Sequence, residues 1–303
     1  MDRRTFFRKS IGTSIAVGSY MAFGKYTDLI AAAPITYDLV AVKGGTPDVM
    51  FDKGIEALGG IGAYVKKGQK VVIKPNIGWD VPPERAANTN PLLVSTIIKR
   101  CLDAGAKEVY VFDHTCDTWN RCYKNSGIES AAKSAGAKIA SGNFEIYYHD
   151  ITIPGGKTLT SAKEHELVLD SDVFINVPVL KHHSGSTLTC AMKNLMGNVW
   201  DRKFWHRTDL HQCIADFATF RKPHLNVVDA YMVMKTNGPR GVSTEDVVAM
   251  KSLLISADIV AVDAAAAKLL GNNPNDIRHI QLAAEMKVGR KDLDKLNIKR
   301  ITV

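Results

Sequence analysis

The chain has 303 residues, 46% hydrophobic and 23% charged, with 23 glycines and 11 prolines, which is the composition of an ordinary globular protein. It excludes a disordered, collagenous, coiled-coil or polytopic membrane protein, and the length suits two average domains or one large α/β domain. The net charge of +8 comes with no basic stripe interleaved with aromatics, so no nucleic-acid partner is expected.

The first segment in chain order is not part of a fold. Arg3 and Arg4, followed by Thr5, Phe6 and Phe7, precede an apolar stretch from Ser10 to Phe23 and small residues at Ala31 to Ala33. A charged region, a short apolar region and a cleavage-like site make a targeting segment, and the arginine pair resembles the twin-arginine export signal of bacteria. Residues 1–33 are therefore assigned to that signal, with the twin-arginine export machinery as a partner and a periplasmic or otherwise exported location. The apolar run is short of the roughly 20 residues a spanning helix needs. Membrane contact is expected only through this segment if it stays uncleaved. Removing it takes away five basic and two acidic residues and leaves a net charge of +5.

From residue 34 onward, short β-rich apolar runs alternate with helical patterns, the signature of a mostly parallel sheet flanked by helices. The predicted strands are 37–42, 70–74, 108–113, 138–140, 173–177, 225–229 and 252–256. Predicted helices are 50–58, 91–104, 127–135, 259–270 and 276–286. In the second of these, Leu92, Val94, Ile97, Ile98, Cys101 and Leu102 recur at helical spacing and Gly105 supplies the stop. Long polar, glycine-bearing loops are expected at 78–90, 115–126, 182–209 and 235–245. Three of the four follow a predicted strand, where ligands of open parallel sheets bind.

The polar residues at those strand ends are the candidate site. Lys74 and Asn76 close one strand, and a lysine there needs solvent, a partner or a ligand. Asp113 closes the next, as partner for a lysine, a metal or a substrate hydroxyl. After the strand 173–177 come Lys181, His182 and His183, then Lys193 and Asn194, then His206, Asp209 and His211. Nitrogen donors in this density suit a carboxylate or phosphate held by charge-assisted hydrogen bonds. The histidines suit proton transfer or a divalent metal. Adjacent His182 and His183 point to opposite sides of an extended strand, so one at most faces the site. His206 and His211, five apart, share no helix face. The preferred ligands for a divalent metal are His183, His206 and Asp229. His149, His165, His224 and His279 read as surface or core residues. Asn237, in the turn-rich run 237–241, is a further candidate contact. Asp258 and Asp263 flank the start of the alanine-rich segment 264–267, where a carboxylate can cap a helix.

Cys101, Cys116, Cys122, Cys190 and Cys213 include no CxxC pair, so no iron–sulfur cluster is expected. Cys116 and Cys122 could pair in an oxidising compartment. No GxGxxG, GxxxxGK[ST] or GxSxG motif occurs.

The ordered motifs resemble the domain of unknown function 362 (DUF362) family from about Ile35 to the C-terminus. The resemblance runs through VVIKPN (71–76), INVPVLKHH (175–183), MKNLMG (192–197), His206, Val228-Asp229, NGP (237–239) and ADIVAVD (257–263). It implies one continuous domain, 34–303, and no general reaction. The family pattern sets a lysine and a histidine two apart, at Lys181 and His183, with a small polar residue between them where this chain has His182. Iron–sulfur members carry a separate cysteine-rich module that this chain lacks.

The resulting expectation is an exported enzyme acting on a small anionic substrate. Lys74, Lys181 and Lys193 would bind the anion, with Asn76, Asn194 and Asn237 orienting it. His183, His206 and Asp113 would carry the chemistry. The alternatives are a non-catalytic periplasmic binding or accessory protein and a partner-docking module.

Overall fold

Alternation along the short apolar runs decides the layering. Val71 and Ile73 point to one face of the sheet and Val72 to the other. Val173, Ile175 and Val177 likewise oppose Phe174, and Leu253 and Ile255 oppose Leu254. Both faces are apolar, so both must be covered by helices.

A computed structural model describes residues 37–303, which fall within one compact unit. The expected export signal, residues 1–33, lies outside the described residues. The strands are β1 (Leu39–Lys43), β2 (Lys70–Pro75), β3 (Glu108–Val111), β4 (Lys138–Ile139), β5 (Tyr148–Thr152), β6 (Ser161–His165), β7 (Val173–Val177), β8 (Val179–His183), β9 (Thr187–Thr189), β10 (Leu225–Met234), β11 (Val247–Ser256) and β12 (Ile298–Thr302). The helices are α1 (Pro47–Ala57), α2 (Pro91–Asp103), α3 (Trp119–Asn125), α4 (Ile128–Ser134), α5 (Glu166–Asp170), α6 (Ala191–Asn194), α7 (Arg202–Arg207), α8 (Leu210–Phe217), α9 (Ile259–Leu270) and α10 (Arg278–Glu285).

The main sheet has the order β12-β1-β11-β10-β7-β2-β3-β4, and β8 joins it on β10 and carries β9. Most pairings are parallel; β11 runs against both its neighbours, and β9 against β8. Helices α1, α2 and α4 cover one face, and α5, α6, α8, α9 and α10 the other. A separate hairpin pairs β5 with β6. No helix among the described residues is long and apolar enough to cross a membrane.

Local chemistry sets the helix ends. Asn90 caps α2 by accepting from the Leu92 amide, Pro91 occupies its first turn, and Gly105 follows its end at φ 89°. Asp258 caps α9 through the Val260 and Ala261 amides.

Two expectations need correction. The stretch 182–209 is not a long loop: it continues β8 and holds β9, α6 and α7. Those helices are too short to show periodicity, and β8 carries Lys181, His182 and His183, which masks a strand. The expected strand 108–113 ends at Val111, leaving Asp113 two residues beyond. Past Asp229, β10 runs on beyond its pairing with β7, with β11 on one side and β8 on the other.

Candidate functional site

Side chains on one face of the central strands turn polar in a row. Lys74 stands opposite Asn176, Asn176 opposite Asn226, and Asn226 opposite Ser256. The row is hydrogen-bonded through: Asn194 Nδ2 donates to Asn176 Oδ1 at 2.8 Å, Asn176 Nδ2 to Asn226 Oδ1 at 3.0 Å, and Asn226 Nδ2 to the Ser256 carbonyl at 3.2 Å. Buried amides satisfied this way fix one geometry, because an unmet partner in the interior is costly.

Lys74, 1% exposed, completes the row. Its Nζ lies 2.8 Å from Asp113 Oδ1 and donates to Asn194 Oδ1 at 2.9 Å. Asp113 Oδ2 accepts the Ile77 amide at 2.6 Å. Asn76 Nδ2 donates to the same Asn194 oxygen at 3.1 Å, and Asn76 Oδ1 accepts from Lys181 Nζ at 2.9 Å. Lys181 also donates to the Ala87 carbonyl. Gly197 lets the pair come together. A Cβ there would collide with Asp113 Oδ1 and sit 2.5 Å from Lys74 Nζ.

Above this floor is a cavity of about 420 Å³. Five cationic side chains line it, Lys74, Lys181, Lys193, Arg202 and Lys203, against a single carboxylate, Asp113. His183, His206, His114, Cys116, Asn76 and Asn194 are among its other polar lining residues. Lys193 comes from α6, whose first turn is held by α9: the buried Asp263 carboxylate accepts the Ala191 amide at 2.6 Å and the Met192 amide at 3.1 Å. Arg202 is aimed by the carbonyls of His114 and Thr115, at 2.7 and 2.6 Å. A larger cavity of about 980 Å³, between the β5–β6 hairpin and α7, shares His114, Arg202 and Lys203 with it.

Burial and mutual repulsion set the charge states. Desolvation pushes the Lys181 ammonium down to about 7 and the Lys193 ammonium to about 8, and neighbouring cations add to both shifts. Lys74 is lowered by burial too, with Asp113 opposing. His183 is pushed down to about 3 by burial and then by Lys193 and Lys181, so its ring is neutral near pH 7. Its Nδ1 accepts the amides of Gly185 and Ser186 at 3.0 and 3.2 Å, which places the ring proton on Nε2. His206, more exposed, stacks at 6.4 Å from His183 and is lowered by burial, Lys193 and Arg202.

Folded Lys181 releases its proton near pH 7, whereas its ordinary value is 10.5. The unfolded chain holds more protons across that window, so stability of the empty protein rises from pH 7 towards 10.5. Lys181→Met removes this contribution. The stability of the variant relative to wild type is expected to be greatest near pH 7 and to fall by about pH 10, as read from urea midpoints.

The structure gathers Lys74, Asn76, Asp113, Lys181, His183, Lys193, Asn194 and His206 around one cavity. It sets two candidates apart. Asn237 is exposed and donates to Asp246 at 2.6 Å, and its neighbour Pro239 reaches the cavity instead. Asp229, 2% exposed, accepts the Asn90 and Tyr231 amides at 2.7 and 3.1 Å. The metal set His183, His206 and Asp229 is not assembled, because that carboxylate is spent on backbone amides. Among the described residues no group of three or more His, Cys, Asp or Glu could hold a metal.

His182 turns away and accepts the Gly238 amide, while His183 faces the cavity. His165 and His224 accept backbone amides and His149 faces Glu166, all structural roles. His279 is fully buried against His211, at 3.2 Å between their Nδ1 atoms. All five cysteines are free, with Cys116 exposed and Cys122 buried.

Sequence reasoning finds His114 at a strand end without giving it a role, and misses Cys116, Arg202 and Lys203 in the lining and Asn176 and Asn226 beneath it. Asn176 was visible as a polar residue inside an apolar strand, whereas Arg202 carries no local signal.

A thylakoid-associated protein of Synechocystis sp. is 26% identical over 243 residues, spanning 78% of this chain and 73% of its own length. The lactate racemase apoprotein of Thermoanaerobacterium thermosaccharolyticum aligns with TM-score 0.47 and 10% identity over 78% of this chain. A structural-genomics protein of Thermotoga maritima aligns with TM-score 0.47 and 12% identity over 80%. This chain spans 57% and 60% of those two proteins. Residues 71–268 match the Domain of unknown function (DUF362), a span that takes in the cavity residues from Lys74 to Pro239, and the chain belongs to that family.

Proposed function

We propose that this DUF362 protein is an exported enzyme acting on a small carboxylate or phosphate bound in the lysine-lined cavity. One observation carries the reading: five cationic side chains converge on a 420 Å³ space that holds one carboxylate, Asp113, and Asp113 is already committed to Lys74 and the Ile77 amide. Three of them, Lys74, Lys181 and Lys193, are buried, and buried cations without matching anions are costly, so the arrangement is one that an anionic ligand completes. Lys74 and Lys181 each have two N–H groups engaged and one left for the ligand.

The histidines divide the proton work. His183 is a poor base; its neutral Nε2–H suits hydrogen bonding to a ligand oxygen, as a neutral imidazole polarises a carbonyl. His206 is the group left to move a proton. Asp113 holds Lys74 in place and is not the proton carrier.

A thermal-shift panel of small carboxylates and phosphates tests the reading. Compounds that stabilise the wild type and fail to stabilise the Lys181→Ala/His183→Ala double variant define the ligand class. Turnover of such a compound, lost in His206→Ala, supports the enzyme. Stabilisation without product supports a binding or accessory protein, and no stabilisation by any anion removes both.

Export rests on the arginine pair at the N-terminus and on the thylakoid association of the Synechocystis relative. Arg3→Lys/Arg4→Lys is expected to keep the protein out of the exported fraction, measured by cell fractionation.

A further inference from the structure

We infer that Lys193 is an amine nucleophile that forms an imine with a 2-oxo acid whose carboxylate is held by Lys74 and Lys181. This rests on the anion-binding reading of the cavity and gives it a substrate class.

The three buried lysines are not equivalent. Lys74 is tied to Asp113 and Asn194, and Lys181 to Asn76 and the Ala87 carbonyl. Asn76 joins them, accepting from Lys181 and sharing the Asn194 oxygen with Lys74, so their spare N–H groups belong to one fixed frame. The Lys193 amine touches no oxygen: its one contact is the Met196 thioether sulfur at 2.8 Å, a weak acceptor. Yet the side chain is only 9% exposed and lines the cavity.

Burial, with Arg202 and Lys74 nearby, brings its ammonium down to about 8. Near neutral pH its free-amine fraction therefore far exceeds that of a surface lysine. An amine desolvated beside other cations is the arrangement that activates lysine toward carbonyl carbon. Two ammonium donors placed for a carboxylate, and a separate free amine, match a molecule carrying both a carboxylate and an adjacent ketone.

The step balances without an oxidant. Lys193 Nζ adds to the ketone carbon as the C=O π bond opens, and the proton shed by the new ammonium passes to the oxygen to give a neutral carbinolamine. His183 Nε2–H hydrogen-bonds that oxygen and His206 moves the proton. A second proton, taken up from solvent through His206, lets water leave with the C–O bonding pair while the nitrogen lone pair forms the C=N bond of the iminium.

The test treats the purified protein with pyruvate, 2-oxobutyrate or 2-oxoglutarate and sodium cyanoborohydride, followed by intact-mass measurement and peptide mapping. At least one of the three should give one reduced adduct per chain, on Lys193, faster than on any exposed lysine. Lys193→Arg, which keeps the charge but carries no free amine, should lose the adduct in a protein whose fold is checked by circular dichroism. Lys193→Met guards against a folding effect of the arginine. No adduct from any of the three, or adducts on Lys181 or scattered surface lysines, overturns the assignment while oxalate stabilisation of the wild type leaves the anion site standing. If oxalate also fails to stabilise the wild type, the anion reading falls with it.

Discussion

Asp113→Ala is expected to lower the unfolding free energy by about 3–5 kcal/mol, because it leaves the Lys74 ammonium buried without its counter-charge. Lys74 is 1% exposed, and Asn194 Oδ1, its remaining partner, is a neutral acceptor shared with Asn76. The same substitution strips the Ile77 amide of its acceptor. Lys74→Met alone strands the carboxylate in turn. The double variant Lys74→Met/Asp113→Asn removes both charges and should recover much of the loss, since a buried pair replaced as a unit is often near neutral. A urea-denaturation double-mutant cycle reads the coupling directly. Additive losses, with no recovery in the double variant, would show that the pair does not hold the floor of the cavity together.

The second large effect is expected at Gly197. An alanine methyl would collide with Asp113 Oδ1 and lie 2.5 Å from Lys74 Nζ, in a region where neither partner can retreat. Lys74 is locked by Asn194, and Asp113 by the Ile77 amide. Overpacking a filled interior costs about 1–3 kcal/mol, and here the strain falls on an ion pair. Gly197→Ala should therefore destabilise by about 3 kcal/mol and weaken anion binding together. Wild-type stability with unchanged anion binding would contradict the geometry.

The legible parts of this molecule are those whose signal is local. Val71–Ile73 and Val173–Ile175 sit in strands covered on both faces, so they read as apolar runs. Helix α2 was legible from its periodicity and from Pro91 and Gly105 at its ends. Lys74, Lys181 and Lys193 stood out as charges against apolar surroundings, and the structure brings them to one cavity. What failed depends on tertiary context. Strand β8 overlaps the loop expected at 182–209 by its last two residues, because Lys181, His182 and His183 mask the apolar pattern of a strand. Asp229 looked like a ligand at a strand end, but the Asn90 amide, distant in sequence, claims its carboxylate. Arg202 enters the cavity only because two carbonyls from 114–115 aim it. No spacing rule in the sequence could report that.

The central claim is that the convergent lysines form an anion site, and calorimetric titration with inorganic phosphate and oxalate tests it most directly, on wild type and Lys181→Met, at about pH 7 and pH 9. Because Lys181 and Lys193 lose their protons at about 7 and 8, at least one of the two anions should bind the wild type at the lower pH and weaken about tenfold or more at the higher one. Lys181→Met should weaken binding at pH 7 and flatten the pH dependence. Equal affinity in wild type and variant, or affinity indifferent to pH, would contradict the account.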